Sequence, residues 1–122
     1  MVEVDTILDA VCRIPLEFFK GSKSFLDLIN ESGIRNQPHL LTVSNLTVRL
    51  QQEPCLITPW LRWSTDRRLV SGWHIKCKDG RFVVGLQPAG QLSEFDAAEQ
   101  ACAHFIFYEI SSVIKRLPSV VP

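Results

Sequence analysis

The side chains able to do chemistry in this 122-residue chain are few and far apart. Three histidines stand at His39, His74 and His104, and four cysteines at Cys12, Cys55, Cys77 and Cys102. No CxxC or other close pair of the kind used by zinc sites and redox motifs occurs among them. His74 and Cys77 are three apart on a predicted strand and point to opposite faces. Cys102 and His104 are two apart on a predicted helix and diverge. Neither pair can hold one metal ion locally, and no cofactor is expected. No serine or cysteine lies in a nucleophile signature, so a triad would have to assemble from distant segments. Gly72, Gly80, Gly85 and Gly90 lack phosphate-loop spacing, and no GK[ST] follows them. The thiols are expected to be reduced and mostly buried. The chemistry-bearing residues thus point away from an enzyme and towards a binding protein.

Two charged clusters could serve binding. Arg62, Arg67, Arg68, Lys76, Lys78 and Arg81 are interleaved with Trp60, Trp63, Trp73 and Phe82, a pattern able to offer phosphate contacts and stacking planes to nucleic acid. The competing reading makes the bases the solvent-facing residues of strands and the aromatics their core. Glu94, Asp96 and Glu99 gather where the last helix is expected to begin. Capping and the helix dipole account for much of their presence, but an acidic knob also complements the basic cleft of a nuclease. Asp66 and Asp79 are further candidates for the same contact surface.

These clusters follow from an uneven charge layout. The formal charge is zero, yet residues 1–31 hold six acids against three bases, residues 32–91 eight bases against three acids, and residues 92–122 four acids against two bases. Folding can turn such blocks into faces of opposite sign that steer a charged partner.

The elements that must position these residues read as one α+β domain spanning 1–122. Val4, Ile7, Leu8, Val11 and Cys12 recur at helical spacing over Val2 to Arg13, and Pro15 should limit or kink that helix. Ser24 with Asp27 predicts a capped second helix, stopped by Gly33. Leu40 to Leu50 fits either periodicity, with helix preferred. Thr58 and Pro59 predict a helix start carrying Trp60 and Leu61. Ser71 to Cys77 and the run through Phe82, Val84 and Leu86 alternate as strands, with Asp79 and Gly80 as the hairpin turn. Asp96 and Glu99 suggest a capping box for a long helix from about Ala97 to Leu117. Its apolar stripe of Cys102, Phe105, Ile106, Ile110, Val113 and Leu117 would cover the small antiparallel sheet.

Met1 to Asp5 lack a basic start and an apolar stretch, so no signal peptide is expected and the default compartment is the cytoplasm. The apolar run from Ala101 to Ile110, broken by His104 and Glu109, is too short for a membrane span.

Pro54-Cys55-Leu56-Ile57, Trp60-Leu61-Arg62-Trp63-Ser64, Asp66-Arg67-Arg68 and Ser71-Gly72-Trp73, with Ala101-Cys102-Ala103-His104-Phe105-Ile106 and Glu109-Ile110, resemble small bacterial immunity proteins of contact-dependent growth inhibition systems. The resemblance covers about half the chain and does not extend before Pro54. It implies a cytoplasmic protein that binds the toxic C-terminal domain of a cognate effector, commonly a nuclease, and blocks it without a cofactor. A nucleic-acid-binding module using the central basic segment is the alternative expectation. A hydrolase built on His74 or His104 is the third.

Overall fold

In a computed structural model of the chain, residues 2–21, 23–65, 73–86 and 91–116 are described. The order is α1 (Val2–Cys12), α2 (Ile14–Phe19), α3 (Phe25–Ser32), α4 (Val43–Gln52), α5 (Ile57–Thr65), β1 (Trp73–Lys78), β2 (Arg81–Leu86), β3 (Gln91–Phe95) and α6 (Ala98–Arg116), with short 3₁₀ turns at Pro38–Leu40 and Pro54–Leu56. The expected α+β fold is present, with a long C-terminal helix over a small antiparallel sheet. Among the described residues no helix is long and apolar enough to cross a membrane.

Local chemistry sets most boundaries. The first helix breaks at Arg13, and Pro15 lies in the first turn of α2, where its missing N–H costs little. Ser24 and Asp27 form the expected capping box: the Ser24 hydroxyl accepts from the Asp27 N–H at 3.0 Å, and the Ser24 N–H donates back at 3.5 Å. Gly33 ends α3 at φ +85°, a left-handed conformation that glycine adopts without strain. Thr42 caps α4 by accepting from the Asn45 N–H at 3.1 Å, which resolves the ambiguous Leu40 to Leu50 segment as helix. Asp79 and Gly80, at φ 54° and 79°, make the expected tight turn between β1 and β2.

Four features differ from the expectations. Helix α5 begins at Ile57, continuing from the 3₁₀ turn at Pro54, so Thr58 lies inside the helix and is not its cap. The third strand was not anticipated, because Gln91 to Phe95 lack clean alternation; pairing with β2 recruits them. Asp96 is not the cap of α6, since the Ala101 N–H donates to the Ala97 carbonyl at 3.1 Å and the helix starts at Ala98. Only Cys12 and Cys102 are buried, while Cys55 and Cys77 are exposed, because one sits in a surface turn and the other near the hairpin end. Ser71, Gly72, Gly90 and Leu117 lie outside the described residues.

The sheet order is β1-β2-β3, antiparallel throughout, with Ile75 opposite Val84 and Val84 opposite Ser93. Helix α6 lies across one face: Trp73 stacks on Tyr108 at 4.1 Å and Phe95 meets His104 at 4.6 Å. Its other sides pack on α4 and α5. Trp60, Trp63, Leu46, Leu50, Phe105, Ile106 and Ile110 are buried between these helices. The Trp60 indole donates to the Cys12 carbonyl at 2.9 Å, tying α5 to α1. The Trp63 indole donates at 3.0 Å to Glu109, a fully buried carboxyl on α6.

A four-residue ion network joins α1 to α4. Arg13 reaches Asp9 at 2.9 Å and Glu53 at 2.7 Å; Arg49 reaches Glu53 at 2.6 Å and also pairs with Asp9. Burial pushes the Asp9 carboxyl up, but hydrogen bonds from Arg49 and Arg13 outweigh it and hold it below the usual range. The Arg49 hydrogen bond does the same for Glu53, against desolvation and helped by Arg13.

Both carboxyls have depressed folded-state values, so their stabilisation is complete above the unfolded values, about 4, and is lost as pH falls through the folded ones. Thermal melts of the wild type and Arg49→Met should differ most near pH 7 and converge below about pH 4. Trp63→Phe keeps a ring against Phe18 and Phe25 but removes a donor from Glu109. Urea denaturation should show a loss of about 1–3 kcal/mol.

Candidate partner-binding face

Strand alternation assigns the two faces of the sheet. Trp73, Ile75, Phe82, Val84 and Phe95 lie on the side covered by α6. His74, Lys76, Arg81, Val83 and Glu94 lie on the other. Across that outer face the register aligns Lys76, Val83 and Glu94 in one row. The face is therefore polarised, with bases on β1 and an acid on β3.

The same register gathers the predicted acids at one end of the sheet. Asp79 is in the β1–β2 turn, Arg81 opens β2, and Phe95 pairs with Phe82, which puts Glu94 and Asp96 beside Arg81. Glu99 follows in the first turn of α6. The Arg81 guanidinium lies 3.2 Å from Asp96 and 3.7 Å from Glu94. Asp96 keeps 87% of its side chain exposed and Glu94 60%, so one arginine partly offsets the cluster without covering it. Exposed pairs of this kind are worth little and can be exchanged for a partner's charges. Of the five predicted contact residues, Glu94 and Asp96 meet at Arg81, Asp79 and Glu99 lie in the adjoining turn and helix start, and Asp66 lies outside the described residues, as do Arg67 and Arg68.

The basic and aromatic pattern is divided differently. Trp60 and Trp63 are 0% and 1% exposed and offer no stacking plane to a ligand. Trp73 is stacked on Tyr108. Arg62 lies 4.0 Å over the Phe19 ring, and Lys76 is exposed on the outer face. The expectation that these aromatics serve the core holds for both tryptophans, which fall three apart on one helix face.

The histidines do not converge. His39 is exposed near α3, His74 is on the outer face of the sheet, and His104 is beneath the inner face with Nδ1 2.9 Å from the Gln100 carbonyl. Burial, reinforced by Lys76, lowers the His74 pKa and favours its neutral ring. No group of three His, Cys, Asp or Glu side chains among the described residues is placed to hold a metal ion. A groove of about 330 Å³ between α1, α2 and α3 is lined by Asp9, Arg13, Glu17, Lys23, Leu28 and Glu31. Its ionic groups already pair with neighbours, as Lys23 does with Glu31 at 2.6 Å and Glu17 with Lys20 at 3.1 Å.

Burial pushes the Cys12 thiol up to about 12 and the Cys102 thiol well above its ordinary range. Titration of the native protein with a thiol reagent should therefore modify Cys55 and Cys77 quickly, and Cys12 and Cys102 only after denaturant is added.

Compared with known proteins, the chain matches no family model, no curated protein and no solved structure.

Proposed function

We propose that this protein is an immunity protein: it binds the toxic domain of a cognate effector, a nuclease of a contact-dependent growth inhibition system, and blocks it by occlusion. The observation that carries this reading is the acidic end of the sheet, where the exposed Glu94 and Asp96 flank Arg81, with Asp79 in the adjoining turn and Glu99 in the first turn of α6. A nuclease needs lysines and arginines to hold phosphates, and exposed carboxylates supply the complementary field that speeds and orients docking. The resemblance of Trp60 to Ser64 and of Ala101 to Ile110 to immunity proteins supports the same reading. Those stretches are core-forming here, so their part is to hold the shape that displays the acids. Occlusion breaks no bond and requires no acid–base pair.

A nucleic-acid-binding module is the second reading, favoured by the exposed Lys76 beside His74 on β1. Salt separates the two, since phosphate contacts release counterions and weaken steeply as salt rises.

The test is co-expression with the product of the adjacent upstream gene. The chain should co-purify with that protein's C-terminal domain in a stoichiometric complex and protect cells from it. Reversing both Glu94 and Asp96 to lysine should weaken the complex about tenfold or more, the equivalent of about 1.4 kcal/mol. Absence of protection, together with salt-sensitive binding to generic DNA or RNA, would transfer the assignment to the second reading.

A further inference from the structure

The two edges of the sheet are not equivalent. Strand β1 is bordered by α5: the Ile75 N–H, which would otherwise face outward, donates to the buried Ser64 hydroxyl at 3.0 Å. That edge is closed. Strand β3 is the opposite end of the order β1-β2-β3, and among the described residues no further strand pairs with it.

The Ser64 bond also fixes which groups of β3 point away from the sheet. In an antiparallel ladder each residue directs its N–H and C=O to one side, and successive residues alternate. Ile75 points away from β2, so its partner Val84 points towards β3 and bonds with Ser93. Ser93 therefore faces inward. Leu92 and Glu94 turn their N–H and C=O outward, along the edge that no described strand pairs, and the Glu94 side chain stands on the acidic half of the polarised outer face.

We infer that the β3 edge, through the outward backbone groups of Leu92 and Glu94, accepts an extended, lysine- or arginine-bearing segment of a partner protein as a fourth strand. The inference rests on the immunity reading and specifies how the partner is held. An added strand lies about 4.8 Å from β3, and its residue opposite Glu94 has its Cβ about 5 Å away. A base there meets Glu94 directly and reaches Asp96, while Lys76 stands two strands further across the row. An acidic segment would meet Glu94 and Asp96 as like charges. Main-chain bonds supply affinity and the carboxylates supply selectivity, the division of labour seen when a peptide extends a sheet. A charged residue on an open edge also discourages indiscriminate pairing.

The probe is a synthetic ten-residue peptide alternating lysine and threonine, with a glutamate–threonine peptide as control, titrated into isotope-labelled full chain and followed by amide hydrogen exchange. In the free protein the Ser93 amide should exchange slowly and the Leu92 and Glu94 amides quickly. Saturation with the lysine peptide should slow Leu92 and Glu94 at least tenfold and leave Ile75 unchanged. Glu94→Gln, which keeps the N–H, should weaken binding without moving its location; Glu94→Pro, which removes the N–H, should abolish protection at Leu92 while the circular dichroism spectrum stays native. Equal binding of the glutamate peptide, protection mapped away from β3, self-association of the chain through this edge, or slow exchange at Leu92 and Glu94 before any peptide is added would each overturn the inference. The readout requires no toxin, so failure of the co-expression test with protection at β3 indicts the immunity reading, and cell protection without β3 protection indicts this one.

Discussion

Helix α6 has more apolar surface than one neighbour can cover. Ala101, Cys102, Ala103, Phe105, Ile106, Ile110 and Val113 are all buried, an arc wider than the stripe of a helix lying on one layer. The chain satisfies it by placing the sheet on one side and α4 and α5 on the others. The small side chains at 101 and 103 leave room for close neighbours, and Phe105 meets Trp60 edge to face at 6.0 Å. Into this surrounded helix the chain also inserts Glu109. A buried carboxyl is expensive without hydrogen bonds, and the Trp63 indole supplies one at 3.0 Å. That bond fixes the rotation of α5 against α6, and with it the position of Ser64 beneath β1.

The consequences run outward from this core. Ser64 borders one edge of the sheet and α6 takes its inner face, while among the described residues no further strand pairs with β3. Between the helices, the Asp9, Arg13, Arg49 and Glu53 network locks α1 onto α4. Its charges balance, so it organises helices without adding a net field. At the end of the sheet, Glu94 and Asp96 share Arg81 and stay largely exposed.

Much of the architecture was legible in the residue order because it depends on neighbours in sequence. Ser24 with Asp27, Gly33, and Asp79 with Gly80 act within a few residues, through caps and positive φ angles that only certain side chains accommodate. The stripe from Cys102 to Val113 announced a long buried helix for the same reason. The errors arose where two local signals competed. Asp96 and Glu99 look like a capping box, but the helix begins one residue later, with the Ala101 N–H on the Ala97 carbonyl, and a third strand forms from a segment with little strand character of its own because β2 offers it a ladder.

The sequence by itself determined the elements, the broad α+β class and the presence of acidic residues near the last helix, since helix periodicity, turn chemistry and capping are short-range. Only the tertiary structure decided that Asp79, Arg81, Glu94 and Asp96 share one end of the sheet, and that Ser64 borders one strand edge while, among the described residues, no strand pairs with the other. Those outcomes depend on register and on contacts between residues tens of positions apart, such as Ser64 with Ile75 and Trp63 with Glu109, and a single chain's periodicity carries no information about which distant surfaces will meet.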